Sequence, residues 1–487
     1  GKPTVFGTKP AARFDHAWGY DQITPDSVIA VFGGEGAGGA LMSDLWKLRV
    51  NPVHDVLTWE EVTGMAGNTP SPRSQHAMTY ERGSHRISVF GGKLVGGALD
   101  DTLHIGVFHP HATNQTKGWI NSARGEQSLA KHFGILEGGA VFQRVPELHG
   151  PDSTTTWDSL TSAPKLQEWY PQMFSIGPDS VFAAGPSLNS HILNTATQNW
   201  SDFPASSGTT FKGGAAVMYR PWKIMKAGSR DTDQGSARGI TASIDLKEPP
   251  AAWTSSIDSM MGRVNHNLVL LPTGEVLAVG GHAVIGNATG TTPVYQPEIW
   301  HPDTTSGGSR GKWRGKDVLA LDNTKRDYHS TAVLLPDGRV LSGGGEADTA
   351  ARRALNVFCP PYLFNSDGSQ ATRPIITSTP ERMQYGERFT ICMPTNSSSA
   401  SIALLRPGAT THGFDMNQRY VPLVKVGSEV QGSRVIVDAP ADSAIAPPGD
   451  YLLFVLNSAG VPSVGRWVRI GRWWDRPDSG APGVVDL

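Results

Sequence analysis

At 487 residues the chain is too long for one ordinary hydrophobic core, so it should divide into a large repeat domain with a smaller module, or into several domains. With 56 glycines, 35 prolines and no long apolar stretch of 3.6-residue period, it reads as all-β rather than helical. A formal net charge of −2 leaves no basic footprint for nucleic acid or an anionic membrane surface, and no apolar run approaches the roughly 18 residues of a membrane-spanning helix, so neither partner is expected.

The opening residues, GKPTVFGTKP, lack the apolar centre of a signal peptide, which fits a processed start. From Arg13 an internal repeat sets in. R-x-x-H runs from Arg13 to His16, Arg73 to His76, Arg263 to His266 and Arg326 to His329. Each copy leads into an apolar strand, a turn and a second strand that closes on glycines: VIAVFGG at Gly33, ISVFGG at Gly91, EVLAVGG at Gly280 and RVLSGGG at Gly343. In HNLVLLPTGEVLAVGG and HSTAVLLPDGRVLSGGG, a Pro-x-Gly separates the two runs, and its glycine accepts the positive φ of a tight hairpin.

Weaker copies fill the intervals, starting at Ala123 (ARGEQSLAKHFGILEGG), Glu168 (EWYPQMFSIGPDSVFAAGP) and Gly213 (GGAAVMYRPWKIMKAGS). Seven units over residues 1–365 predict a seven-bladed kelch-type β-propeller. Trp46, Trp59, Trp157, Trp200, Trp253 and Trp300 close successive units and are expected to pack between blades. After the turn-rich FCPPYLFNSDGSQATRP, the runs RFTICMP, ASIALLRPG, RVIVDAP and YLLFVLNSAG predict an Ig-like β-sandwich over 366–472, followed by a tail over 473–487.

Sequons at Asn114, Asn199, Asn287 and Asn396 stand in polar text, so a secreted, N-glycosylated protein is expected, and a monomer. Cys359 and Cys392 flank the domain boundary and form one disulfide or remain two thiols.

In a propeller, equivalent inner-strand positions converge on one axis. The third position of the motif carries Asp15, Gln75, Glu126, Asn265 and Tyr328, and the fourth carries His16, His76, Gln127, His266 and His329. Imidazoles with a phenol and a carboxylate suit a borderline transition metal. For His16, His76 and His266 a structural hydrogen-bonding role is the stronger expectation.

Three segments, KRDYHSTAVLLPDGRVLSGGG, ALLRPGATTHGFDMNQRYVPL and YLLFVLNSAGVPSVGRWVRI, resemble the copper-radical oxidases, the family of galactose and glyoxal oxidases. The likeness is densest beyond Gly262. It implies one copper ion held by Tyr328, His329 and His412, the last on a hairpin that the sandwich threads into the propeller. Tyr328 would be the axial phenol that accepts the substrate proton. The family's radical tyrosine and its cysteine partner have no counterparts here: NSARGEQS places Glu126 at the first position and the neighbouring inner strand offers Gln75 or His76, so no Cys-Tyr thioether is expected. Leu136 stands where the family has a stacking aromatic.

The resemblance therefore implies a copper-dependent oxidoreductase acting on a small alcohol or aldehyde with dioxygen. One alternative is a non-radical metal enzyme in the same pocket, with Glu126 as general base or fourth ligand. Another is a propeller that binds a glycan or small ligand over a relic site.

Overall fold

The computed structural model describes residues 4–471 except for a set of turns and longer stretches, among them 97–102, 108–117, 122–130, 149–157, 231–235, 285–291, 304–309, 346–353, 395–398, 411–412 and 427–433. The tail from 472 onward lies outside this description. The described residues are strands and turns, with two single-turn 3-10 segments at Ala37–Gly39 and Pro361–Leu363.

The repeat folds as antiparallel meanders. In the first, Ala17–Ile23 pairs with Asp26–Phe32, which pairs with Leu45–Asn51 and then with Val56–Glu61. Comparable sheets start at Ala77–Glu81, Gln172–Gly177, Ala215–Arg220, Asn267–Leu270 and Ser330–Leu334. Six sheets are thus described; most of the unit expected from Ala123 falls outside the described residues. The Pro-x-Gly hairpins form as predicted, with Gly274 and Gly338 at φ +83° and +81°.

Apolar side chains alternate along each strand, so both faces of a sheet meet a neighbour. Phe32 and Leu45 pack on Met78, Ile87 and Val89 of the next sheet, and Phe174 and Phe182 pack on Met218 and Ile224. The final sheet returns to the first: Val333, Leu335 and Leu341 share a core with Ile29, Val31, Trp46 and Leu48. The blades thereby close into a ring, which brings the two ends of the repeat region together. Trp46 and Trp300 lie within these cores, and Trp59, Trp200 and Trp253 pack against their edges, the role expected of them.

The sandwich strands Ser401–Arg406 and Gly449–Leu456 carry two apolar faces. Ile402, Leu404, Leu453 and Val455 fill the sandwich core. The alternating Ala403, Leu405, Leu452 and Phe454 join Leu268, Leu270 and Trp300 of the propeller. Arg419–Lys425 also meets the blade strand Ala215–Arg220 in parallel at Met218 and Arg419. The sandwich is thus continuous with the propeller in packing and in sheet. Cys359 and Cys392 are not joined in a disulfide; the first is exposed and the second half-buried.

Candidate metal centre at the propeller axis

In three of the four motif copies the arginine donates to the carbonyl of a glycine that closes its blade. Arg13 Nη1 reaches Gly33 O at 3.0 Å, Arg263 Nη1 reaches Gly280 O at 3.1 Å, and Arg326 Nη1 reaches Gly344 O at 2.8 Å. The histidine three residues on then packs beneath the glycine pair. A Cβ on Gly34, Gly92 or Gly281 would come within 2.9, 2.8 or 2.9 Å of the Cβ of His16, His76 or His266, which is why glycine recurs there. Burial, with a nearby arginine as the second cause, lowers these imidazoles to about 4, 3 and 3. They are neutral; of the hydrogen-bonding role expected of them, His76 Nε2 meets Phe32 O at 3.1 Å, whereas neither ring nitrogen of His266 has a partner among the described residues.

Between arginine and strand sits a residue in the left-handed region. Asp15, Gln75 and Asn265 hold φ of 52°, 58° and 55°, Tyr170 holds 55° and His329 holds 64°. Such conformations cost a non-glycine residue roughly 1 kcal/mol or more and gather where function requires them. Here the structure corrects the phase of the repeat. The third-position alignment groups Tyr328 with Asp15, Gln75 and Asn265, but His329 occupies their conformation. The last blade has one more residue between its arginine and the turn, so His329 is not equivalent to His16, His76 and His266.

His329 and Asp15, from the last and first blades, meet because the ring closes. His329 Nε2 lies 3.1 Å from Asp15 Oδ1, with the side chains only 10% and 3% exposed. Gln75 Nε2 donates to Asp15 Oδ2 at 3.1 Å. The Phe14 ring is stacked parallel to the His329 imidazole at 6.0 Å, and the Tyr328 ring lies 3.9 Å from it. The Tyr328 phenol hydrogen-bonds the phenol of Tyr170, whose ring packs 5.8 Å from Phe414. Asp15 and Tyr170 acquire these roles from position: each is two residues before an inner strand, a signal the R-x-x-H pattern obscures.

Phe414 belongs to the arm expected to carry His412. The Asp415 carboxylate accepts from Ala409 N at 3.0 Å, and the Thr410 hydroxyl stands within bonding distance of that carboxylate and of Ala332 O. Gln418 accepts from Leu270 N and donates to Leu268 O, both at 2.8 Å. Both flanks of the arm are therefore fastened to inner strands of the propeller. His412 itself, like Glu126, lies outside the described residues.

Gly413 has φ +75°, and a Cβ there would lie 2.5 Å from His266 O. Gly413→Ala should lower stability by roughly 1–3 kcal/mol through strain and clash together. Gly460→Ala, at φ +79° but with open space around it, should cost less. Thermal unfolding of the two variants side by side checks this; equal shifts would remove the arm from contact with the propeller.

Among the described residues no three His, Cys, Asp or Glu side chains gather into a metal-sized cluster. The convergent set is mixed instead: an imidazole, a carboxylate and a phenol, with a second phenol behind. Nitrogen and anionic oxygen donors of this kind fit copper.

A family model described as the glyoxal oxidase N-terminus matches residues 222–359, which hold Tyr328 and His329. A second, described as the galactose oxidase-like early set domain, matches 373–470, which hold His412. Galactose oxidase of Gibberella zeae is 32% identical over 456 residues, 85% of this chain and 64% of that protein, so this chain spans less than two thirds of the relative's length. The aldehyde oxidase GLOX of Vitis pseudoreticulata is 32% identical over 250 residues, 48% of this chain and 46% of that one. A solved fungal alcohol oxidase in complex with copper superposes with a TM-score of 0.74 at 23% identity, covering 97% of this chain and 100% of the other, a likeness of fold.

Proposed function

Because this chain belongs to the family of galactose and glyoxal oxidases, the copper-radical oxidases, we propose that it is a secreted copper-dependent oxidoreductase that oxidises a small alcohol or aldehyde at the expense of dioxygen. Tyr328, His329 and His412 would hold the ion. Bound copper supplies the redox chemistry that carries electrons from substrate to dioxygen.

The remaining work falls to the protein. Tyr328 Oη, held as a phenolate by the metal, would receive the substrate's hydroxyl proton, and the hydrogen bond to Tyr170 orients that oxygen. Phe14 and Phe414 wall the imidazole and the phenols with apolar rings, which limits water at the reacting atoms. The observation that carries the reading is the convergence of Tyr328, His329 and the anchored arm at one place.

Copper(II) titration of the purified protein tests it, followed by dioxygen consumption with primary alcohols and aldehydes. One equivalent of copper and substrate-dependent uptake are expected. His412→Ala should abolish tight copper binding while the thermal midpoint stays within a few degrees, since an arm tip supplies a ligand but little core. Wild-type protein that takes up no copper would end the proposal.

A second reading, non-radical chemistry with Glu126 as base or further ligand, is favoured by the position of both cysteines. Cys359 follows the outermost described strand of the last blade and Cys392 ends a sandwich strand, so neither lies on a described inner strand of the propeller. Copper-loaded protein that shows no strong visible and red absorption after mild oxidation would select this reading. The exposure of Asn199 supports glycosylation at that sequon and hence secretion.

A further inference from the structure

We propose that Asp15 is itself a ligand of the metal, a carboxylate that joins Tyr328 and His329. The inference rests on the copper reading above and assigns it a residue that the family likeness does not bring forward.

Asp15 faces the edge of His329 that bears Nε2, at 3.1 Å from Oδ1. Two donor atoms at that separation are placed as adjacent ligands of one ion, given metal-to-ligand distances of about 2.0–2.1 Å for imidazole and carboxylate. Without metal, the Nε2 proton occupies the gap and the pair is a hydrogen bond. When a cation binds Nε2, the ring's proton resides on Nδ1, and Oδ1 then faces the cation in place of the N–H.

The other oxygen of Asp15 is committed elsewhere. Gln75 Nε2 donates to Oδ2 at 3.1 Å, which fixes the rotation of the carboxylate and leaves Oδ1 toward the imidazole. A ligating carboxylate oriented by an outer amide is a common arrangement at metal sites. The backbone is also committed, since both Asp15 and His329 hold left-handed φ, at 52° and 64°. Burial adds a further reason: a carboxylate whose side chain is 3% exposed needs a cation or hydrogen bonds to offset lost hydration.

The test is copper(II) affinity by chelator competition, together with the copper EPR spectrum, on wild type, Asp15→Asn, Asp15→Glu and Gln75→Leu. Asp15→Asn should weaken binding by more than roughly 100-fold and change the hyperfine splitting, because an anionic oxygen leaves the coordination sphere. Gln75→Leu should weaken it by roughly 10–100-fold with the splitting retained, as an outer partner does. Asp15→Glu should recover part of the affinity. Thermal midpoints near wild type establish that each variant is folded. An Asp15→Asn protein that binds copper as wild type does, or binds more weakly with an unchanged spectrum, would overturn the ligand assignment and leave the copper proposal standing. Wild type that binds no copper would overturn both.

Discussion

Replacing Arg263 with methionine is expected to lower stability by roughly 3–5 kcal/mol, the cost of leaving one partner of a buried ion pair uncompensated. Arg263 is fully buried and Glu298 only 4% exposed. The guanidinium donates to Gly280 O at 3.1 Å, to Gln296 O at 2.7 Å and to the Glu298 carboxylate. Without it, Glu298 retains only the Met261 amide, at 3.0 and 3.1 Å from its two oxygens, among the partners described. The loss would be carried by an orphaned charge rather than by a missing contact. Adding Glu298→Leu to Arg263→Met should therefore recover a large part of the stability, and the coupling in that double-mutant cycle reads the pair directly. Thermal unfolding of the three variants decides: a single-site loss near that of a surface ion pair, about 1 kcal/mol or less, would show that the clamp does not hold the blade.

Acid should weaken the fold well above the range in which carboxylates protonate. His16, His76 and His266 are lowered to about 4, 3 and 3, so they stay neutral in the folded protein while the unfolded chain takes up protons below about 6.5. A depressed imidazole contributes its stability in full above the unfolded value and loses it as pH falls toward the folded one. Each histidine then removes up to about 1.4 kcal/mol per pH unit. Arg13 faces His16, Arg73 and His16 face His76, and Arg263 and His282 face His266, all opposing protonation. Asp415 acts in the other direction, because burial raises its carboxyl to about 6 and folding is favoured as it protonates, and so does Asp322, also raised by burial; His191 and His282, both lowered by burial, add to the effect of the three histidines. The thermal midpoint is expected to fall steeply from pH 6.5 to 5, and His76→Gln should flatten the slope by about one proton's worth. A midpoint that is constant across this interval would contradict the burial of these rings.

The candidate site was legible in unequal parts. The arm is expected only from the family resemblance, whereas Tyr328 and His329 stand out because they are adjacent and precede the best repeat copy. Tyr170 does not: its unit lacks the motif histidine, and nothing near it in sequence points to the phenol it meets, 158 residues away. Asp15 is visible as a carboxylate in the motif, but its pairing with His329 depends on closure of the ring by Val333, Leu335 and Leu341 against the first blade.

The sequence by itself determined the elements with local causes. Alternating apolar runs and Pro-x-Gly turns set the hairpins, because side-chain period and permitted φ are properties of a few consecutive residues. Recurrence of the motif set the propeller, since a sheet with two apolar faces must find neighbours on both sides. Only the tertiary structure decided which side chains look inward at the axis. The one-residue difference between Arg326 and the other motif arginines shifts His329 into the left-handed position held elsewhere by Asp15, Gln75 and Asn265. That shift is a matter of backbone conformation under packing restraint, and residue spacing does not encode it.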